Sequence, residues 1–87
     1  MSFVNIGFGN MINTVKIVAM ISPDSAPAKR LIASGREQGT IIDATQGRRT
    51  RCVIVCDNNI VLSALMPDTI TGRINGKNIQ EVEEYDS

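Results

Sequence analysis

Apolar residues fall along this chain in short continuous runs rather than at every second position. The clearest run, residues 16–21, places apolar side chains on both faces of an extended segment except at Lys16. A strand with one face in water alternates apolar and polar residues, so this run predicts a strand that is covered on both sides. Four further runs predict short strands: residues 3–6, 40–44, 51–55 and 60–65.

One segment instead follows the period of an α-helix, which predicts a helix over residues 26–38. Four residues at the i, i+3, i+4, i+7 spacing form its apolar side: Ala28, Leu31, Ile32 and Gly35. Asp24 or Ser25 is suited to cap its first turn, because both side chains accept hydrogen bonds from free backbone amides. Gly39 is suited to end the helix in a left-handed conformation.

The remaining turn residues indicate how these elements connect. Asp57-Asn58-Asn59 predicts a hairpin turn between the last two strands, because Asn and Asp adopt left-handed conformations at little cost. Pro67 predicts the start of a short second helix that ends near Gly72 or Gly76. We therefore expect one α+β domain over residues 1–77, with a small, mostly antiparallel five-stranded sheet, one main helix and a short C-terminal helix.

The net charge of the chain is zero, but its two parts carry opposite charges. The 87 residues carry nine Lys+Arg and nine Asp+Glu. Residues 1–77 hold all nine bases and five of the acids, a net charge of +4, and residues 78–87 hold the other four acids, a net charge of −4. The domain is therefore mildly basic, and the last ten residues predict an acidic, disordered tail.

The composition excludes several kinds of catalytic and metal chemistry. The sequence has no His, which removes Ser-His-Asp and Cys-His catalysis and histidine-based zinc sites. Cys52 and Cys56 lie four residues apart in the extended stretch Cys-Val-Ile-Val-Cys, which places them about 13 Å apart, too far for a disulfide. Two thiols alone do not make a structural zinc site, and Asp43 has no partner carboxylate. We therefore expect no enzyme, no metal and no cofactor, and no small-molecule ligand is evident.

Location and assembly follow from length and pattern. The apolar runs are far shorter than the roughly 18 residues that a membrane span needs, and no secretory signal is evident. Unpaired thiols fit a cytoplasmic protein.

One helix cannot cover both faces of five strands, so either the sheet rolls up or part of it meets another copy of the chain. Of the two, we expect self-association.

The densest charge lies in Gly47-Arg48-Arg49-Thr50-Arg51. Guanidinium groups match phosphate oxygens with two parallel hydrogen bonds, so this turn is a candidate phosphate-binding site. The alternative is a solvated turn whose arginines pair with acids of the same domain. Phe3, Phe8 and Tyr85 are the only aromatic residues, too few for a platform that stacks single-stranded bases. Any nucleic-acid partner is therefore expected to be a duplex held through its phosphates.

Several ordered motifs together resemble the RemA family, bacterial regulators of extracellular matrix genes. They are residues 5–10, 22–27 followed by Lys29-Arg30, 42–45, 47–51 and 62–64, so the resemblance covers residues 3–73. It implies a fold related to the LytTR DNA-binding domain and assembly into a closed ring. It also implies that double-stranded DNA wraps around this ring and that the protein activates transcription.

The resemblance further implies which residues contact DNA. The family's arginines correspond to Arg48, Arg49 and position 16, where this chain has Lys16. Lysine keeps the positive charge but loses the planar fork of arginine. With Arg51 from the same turn, these residues form the predicted DNA-binding set of a nucleoid-associated regulator. A ring-shaped scaffold that does not bind DNA is the main alternative function.

Overall fold

The computed structural model describes residues 2–76, which form six strands and two helices. In chain order these are β1 (Phe3–Asn5), β2 (Met11–Asn13), β3 (Ile17–Ile21), α1 (Ala26–Gln38), β4 (Ile41–Asp43), β5 (Cys52–Cys56), β6 (Ile60–Ser63) and α2 (Pro67–Ile74). A single 3-10 turn, Thr14–Lys16, joins β2 to β3. The predicted α+β class is confirmed. The predicted acidic tail, residues 78–87, lies outside the described residues.

The strands form two sheets, so the predicted single five-stranded sheet is wrong. β1 and β2 pair as an antiparallel hairpin, and the other four strands form a sheet in the order β3-β5-β6-β4. Within that sheet only the β4–β6 pair is parallel, so the mostly antiparallel character is confirmed. Our prediction missed β2, because three residues are too few to show an alternating pattern. The relation to the LytTR fold stays a prediction.

The turn of the first hairpin explains the Gly-Phe-Gly sequence. Gly7, Phe8 and Gly9 all have positive φ, at 112°, 55° and 77°, a region that glycine enters without steric cost. The Asn5 side chain accepts a hydrogen bond from the Gly7 amide at 2.7 Å, and the Asn10 side chain donates to the Gly7 carbonyl at 2.9 Å. These contacts hold the turn closed and set the register of the hairpin.

The four-stranded sheet is covered on both faces by elements of the same chain. On one face, Ile54 and Val61 pack against Val4 of the hairpin and Ile70 of α2. On the other face, Val53, Ile60 and Leu62 pack against Ala28 of α1. Helix α1 covers one face of the sheet, and the hairpin and α2 cover the other. Within the described residues, the outer edges of β3 and β4 therefore have no neighbouring strand.

Helix α1 has the predicted bounds. Ser25 is the cap, since its hydroxyl accepts a hydrogen bond from the Ala28 amide at 3.2 Å, and Gly39 ends the helix with a φ of 72°. Ala28 and Gly35 are buried as predicted, whereas Leu31 is 36% exposed. A Cβ at position 35 would lie 2.7 Å from the Ile41 Cδ1 atom, so glycine allows α1 to lie close to β4.

The predicted turn between the last two strands forms, but not for the predicted reason. The Cys56 amide donates to the Asn59 carbonyl at 2.9 Å and closes the β5–β6 hairpin. No residue of the turn has positive φ; among the described non-glycine residues that conformation occurs at Phe8 and Gln46. The left-handed preference of Asn and Asp therefore has no part in this turn.

Ser63, at the end of β6, links three separate parts of the fold. Its side chain is fully buried and donates to the Ile6 carbonyl at 2.8 Å, while it accepts a hydrogen bond from the Leu65 amide at 3.0 Å. Its own carbonyl accepts from the Arg51 amide at 2.8 Å. One hydroxyl thus ties the first hairpin to the segment that leads into α2.

We predict that Ser63→Ala destabilises the fold by about 1–3 kcal/mol, because it leaves a buried carbonyl and a buried amide without their partner. Urea denaturation at one fixed protein concentration measures this loss. The matched control is Ser2→Ala, which removes an exposed hydroxyl bonded to the Thr14 hydroxyl at 3.0 Å, and we expect a change below about 0.5 kcal/mol. An equal loss in the two variants would contradict the role of Ser63.

Candidate nucleic-acid interface

The arginine-rich motif lies in the connection between β4 and β5, residues 44–51. These two strands are not neighbours, because β6 lies between them. The connection is therefore a crossover above the end of β6 and not a hairpin tip. Arg48 and Arg49 are exposed on it, and Arg51, next to the start of β5, is partly buried. The structure thus presents at least two guanidinium groups to solvent.

Asp43 braces this crossover at its first residues. Its Oδ1 atom accepts hydrogen bonds from the Thr45 hydroxyl at 2.6 Å and the Thr45 amide at 3.0 Å. The Thr45 carbonyl in turn accepts from the Arg48 amide at 2.9 Å, and Gln46 and Gly47 between them have positive φ, at 54° and 78°. The strand-end carboxylate therefore shapes the turn that carries the arginines.

The hydrogen bonds of Asp43 also affect its ionisation. The Thr45 hydroxyl, and next the Thr45 amide, lower the pKa of the Asp43 carboxyl below its ordinary value of 3.8. Burial opposes them by raising the pKa, and the nearby Arg36 guanidinium lowers it further. Asp43 is thus a permanently ionised brace at neutral pH. From the sequence we considered Asp43 only as a catalytic group, although Asp-x-Thr at a strand end is a typical side-chain-to-backbone turn signal.

Other parts of the chain meet the crossover at the same end of the sheet. A shallow cavity of about 120 Å³ there is lined by residues 22–24, residues 49–51 and Met66. Helix α1 begins five residues after β3 ends and α2 begins four residues after β6 ends, so both helices start at this end. Their N-termini add partial positive charge to it. We use the name arginine end for this region, which comprises the crossover (residues 44–51), the β3–α1 connection and the first turns of α1 and α2.

Five basic residues belong to the arginine end: Lys29, Arg30, Arg48, Arg49 and Arg51. Three acidic residues accompany them: Asp24, Asp43 and Asp68. Lys29 and Arg30, in the first turns of α1, were not among the predicted site residues, because the sequence alone favoured a solvated helix surface. The sequence feature that could have identified them is the short β3–α1 connection, because it keeps the start of α1 close to the end of β3.

Lys16 lies at the opposite end of the sheet. Ile17 pairs with Cys56 and Ile21 pairs with Val53, so Lys16 lies beyond the far end of β5 from the arginines. The length of β5 separates them by about 13 Å or more. The Lys16 ammonium lies 3.5 Å from Asp57 Oδ2, and both side chains are more than half exposed. One chain therefore does not bring Lys16 together with Arg48 and Arg49.

The two cysteines are packing residues of β5 and form no disulfide. Cys52 is fully buried, and this burial raises its thiol pKa to about 11. Cys56 is partly buried, and its pKa is raised by burial and then by the charge of Asp57. Both thiols are therefore protonated at neutral pH, which makes them poor nucleophiles.

Residues 2–76 lack both a metal-binding cluster and a membrane-spanning helix. Within residues 2–76 there is no group of three or more His, Cys, Asp or Glu residues that could hold a metal ion. Neither of the described helices has the length and apolar character that crossing a bilayer requires.

Fold and site together define a small α+β protein with a cationic, solvent-facing turn braced at one end of its sheet. A comparison with protein families gives a match to the RemA-like family, described as "Extracellular matrix regulatory protein A-like". The match covers residues 3–74. The chain therefore belongs to the RemA-like family, which confirms the resemblance seen in its sequence motifs.

Relatives extend over nearly the whole chain. A protein of Acetivibrio thermocellus is 49% identical over 87 residues, which cover 99% of this chain and 94% of the relative. A protein of Alkaliphilus oremlandii is 55% identical over 82 residues, 92% of this chain and 88% of the relative. A protein of Carboxydothermus hydrogenoformans is 50% identical over 80 residues, 91% and 92% of the two chains. Each bears the name "Putative regulatory protein", which indicates a regulatory protein rather than an enzyme.

The brace predicts how Asp43 titrates. We expect its carboxyl, followed by NMR, to titrate below 3.8 in the folded protein. Its stabilising effect is therefore complete above the unfolded pKa and is lost as the pH falls through the lowered pKa. Thr45→Val, which removes the hydroxyl and keeps the amide, should raise the titration midpoint. Thr45→Ser keeps both donors and is the control; equal midpoints in the two variants would contradict the brace.

Proposed function

We propose that this protein is a transcriptional regulator that binds double-stranded DNA through the arginine end, as a ring-shaped homo-oligomer. The observation that carries the proposal is the exposure of Arg48 and Arg49 on a braced crossover, with further bases at the same end of the sheet. Guanidinium groups bind phosphate oxygens with charge-assisted, bidentate hydrogen bonds. A turn held by Asp43 loses less conformational freedom when it meets the DNA backbone than a flexible loop does.

The mode of binding follows from what the surface offers. Arginines with few aromatic neighbours contact phosphates of a duplex, and such contacts carry little base-specific information. One chain makes about three or four phosphate contacts, which is a weak interaction at physiological salt. Several copies on one oligomer bind together and raise the effective concentration of each site. Selectivity then comes from the shape and flexibility of the DNA that bends along the oligomer.

Lys16 has a separate place in this scheme. It lies about 13 Å or more from the arginine end, a distance of the order of the width of the major groove, which is about 12 Å. A duplex lying across the strands can therefore present one phosphate backbone to Arg48 and Arg49 and the other to Lys16. Lys16 then contacts a phosphate independently of the arginines. Such a contact requires a positive charge but not the planar fork of arginine, so lysine is sufficient at this position.

The family description and the names of the relatives support a regulatory role. From the family we propose that the target genes serve the extracellular matrix and that the protein activates them. Bending a promoter, or displacing a repressor from it, are two ways in which wrapped DNA raises transcription. The proposed site of action is the bacterial nucleoid.

A scaffold that does not bind DNA is the competing proposal, and the exposed apolar residues at the sheet edges favour it as much as they favour a DNA-binding ring. Val18 on β3 is 66% exposed and Ile42 on β4 is 49% exposed. These residues support assembly without reference to nucleic acid. Only DNA affinity separates the two proposals.

We predict that Arg48→Ala and Arg49→Ala each weaken binding to a duplex from the protein's own genome by at least about tenfold, since each removes a charge-assisted hydrogen bond. Gel-shift titration measures the affinity, and the oligomeric mass of each variant is checked first. Arg36→Ala removes an exposed base in the last turn of α1 and serves as the control. Because Arg36 also lowers the pKa of Asp43, the titration of Asp43 in this control is compared with that of the wild type. Full affinity in correctly assembled Arg48 and Arg49 variants would reject the arginine end as the DNA site.

Salt dependence gives an independent prediction. The logarithm of the affinity should fall with the logarithm of salt concentration, and each alanine substitution at Arg48 or Arg49 should make this slope less steep by about 1 for each DNA-bound chain. Fluorescence anisotropy on a labelled duplex, between low and physiological salt, measures the slope. Wild-type binding that does not respond to salt would contradict phosphate contacts and favour the scaffold.

A further inference from the structure

An ion pair lies at the end of the sheet opposite the arginine end. The Lys16 ammonium lies 3.5 Å from the Asp57 Oδ2 atom, and the two side chains are 62% and 53% exposed. Lys16 is the residue that the proposed function assigns to the second phosphate backbone. The group proposed to bind DNA at this end therefore faces a carboxylate of its own chain, and both are open to solvent.

The strand register brings the two charges together. β3 and β5 are antiparallel, and Ile17 pairs with Cys56. Lys16 precedes Ile17 on one strand. Asp57 follows Cys56 on the other, so the two charged residues lie opposite each other, one step beyond the paired strands. Residues opposite each other on antiparallel strands have Cβ atoms about 4.5–5.5 Å apart. The ion pair therefore continues the register of β3 and β5.

Short turns hold the backbone on both sides of the ion pair. The 3-10 turn that ends at Lys16 is capped by the Asn13 side chain. Asp57 lies in the β5–β6 turn, which is closed by the hydrogen bond from the Cys56 amide to the Asn59 carbonyl at 2.9 Å. Because both backbones are held, the pair opens only when the side chains rotate.

A cavity of about 210 Å³ opens beside the ion pair. Five residues line it: Lys16, Cys56, Asp57, Asn58 and Asn59. Lysine and side-chain amides are groups that contact phosphate oxygens in protein–DNA complexes. Asp57 is the only acid among the five, and its charge repels any phosphate that approaches. The cavity thus combines groups that bind phosphate with one group that opposes it.

We propose that Asp57 is an internal competitor for Lys16: in the free protein its carboxylate occupies the ammonium, and DNA must displace it to gain the contact. The inference rests on the proposed function, because it requires Lys16 to contact a phosphate. A phosphate that approaches Lys16 either breaks the ion pair or lies beside a second negative charge. Both cost binding free energy, so the wild-type chain binds DNA more weakly than a chain without this carboxylate.

Solvent sets the size of this effect. An exposed ion pair is screened by water and salt, and such pairs change an equilibrium by no more than about fivefold. On an oligomer the factors multiply with the number of chains that touch the duplex. Because the competitor weakens each contact, stable binding then depends on many contacts at once. DNA that reaches only a few copies is therefore disfavoured.

The test compares Asp57→Asn with a control that removes the same charge elsewhere. Asp57→Asn keeps the shape of the side chain, and Glu37→Gln neutralises an exposed acid in the last turn of α1. We expect Asp57→Asn to raise the affinity for a duplex from the protein's own genome by about two- to fivefold for each bound chain, and Glu37→Gln to raise it less. Fluorescence anisotropy measures both affinities, after the oligomeric mass has been checked.

A third variant shows whether the effect acts through Lys16. In a Lys16→Ala background the carboxylate has no ammonium to occupy, so Asp57→Asn should raise the affinity only as much as Glu37→Gln does there. Salt dependence gives a parallel measurement. Because a released Lys16 neutralises one more phosphate, Asp57→Asn should make the salt slope steeper by up to about 1 for each DNA-bound chain. Glu37→Gln should leave the slope unchanged.

The outcomes separate this inference from the proposed function. If the wild type does not bind duplex DNA, the proposed function is rejected and the internal competitor with it. If the wild type binds and Arg48→Ala weakens binding, but Asp57→Asn gains no more than Glu37→Gln, only the internal competitor is rejected. A loss of affinity in Asp57→Asn would show that the carboxylate positions Lys16 for DNA. An equal gain with and without Lys16 would show a general charge effect.

Two further variants guard against changes in the turn itself. Asp57→Glu keeps the charge and should bind with nearly wild-type affinity; a gain equal to that of Asp57→Asn would overturn the proposal. Circular dichroism verifies that each variant is folded. If Asp57→Asn does not fold, Asp57→Ser replaces it, since serine is also common in turns, and the same dependence on Lys16 is required.

Discussion

The parallel pairing of β4 with β6 is the constraint on which the rest of the structure depends. Because β5 lies on the other side of β6, the chain must cross the end of β6 between Asp43 and Cys52. A crossover above a strand end has no neighbouring strand to pair with, so it projects into solvent. The arginines of the motif occupy this crossover, and the bonds from Thr45 to Asp43 fix its first turn. The topology thus places the charge, and the brace limits its movement.

The second organising feature is the way a small chain covers its sheet. The hairpin and α2 close one face and α1 closes the other, so that Cys52, Val53 and Ile54 of β5 are all fully buried. Within residues 2–76, no further strand or helix pairs with the outer edges of β3 and β4. Apolar exposure at Val18 and Ile42 is the result. The proposed assembly would bury the apolar side chains that the core of one chain leaves exposed on this sheet.

An element could be predicted from the sequence when all the residues that define it lie within its own segment. Helix α1 was predicted with its observed bounds because its period, its Ser25 cap and its Gly39 end all lie within the same segment. β2 was missed because its three residues form a strand only through pairing with β1, and the single five-stranded sheet was wrong for the same reason. The exposed Leu31 shows that periodicity identifies an apolar side but not how far a partner covers it.

The sequence by itself determined the class of fold, the main helix, the cationic motif at residues 47–51 and the family. Each of these depends on neighbouring residues or on an ordered set of short motifs. Only the tertiary structure decided which charges lie at the same end of the sheet. The strand register separates Lys16 from Arg48 and Arg49, and the short connection after β3 brings Lys29 and Arg30 to the arginine end. Strand order and register depend on contacts between residues far apart in the chain, and therefore spacing along the sequence could not reveal them.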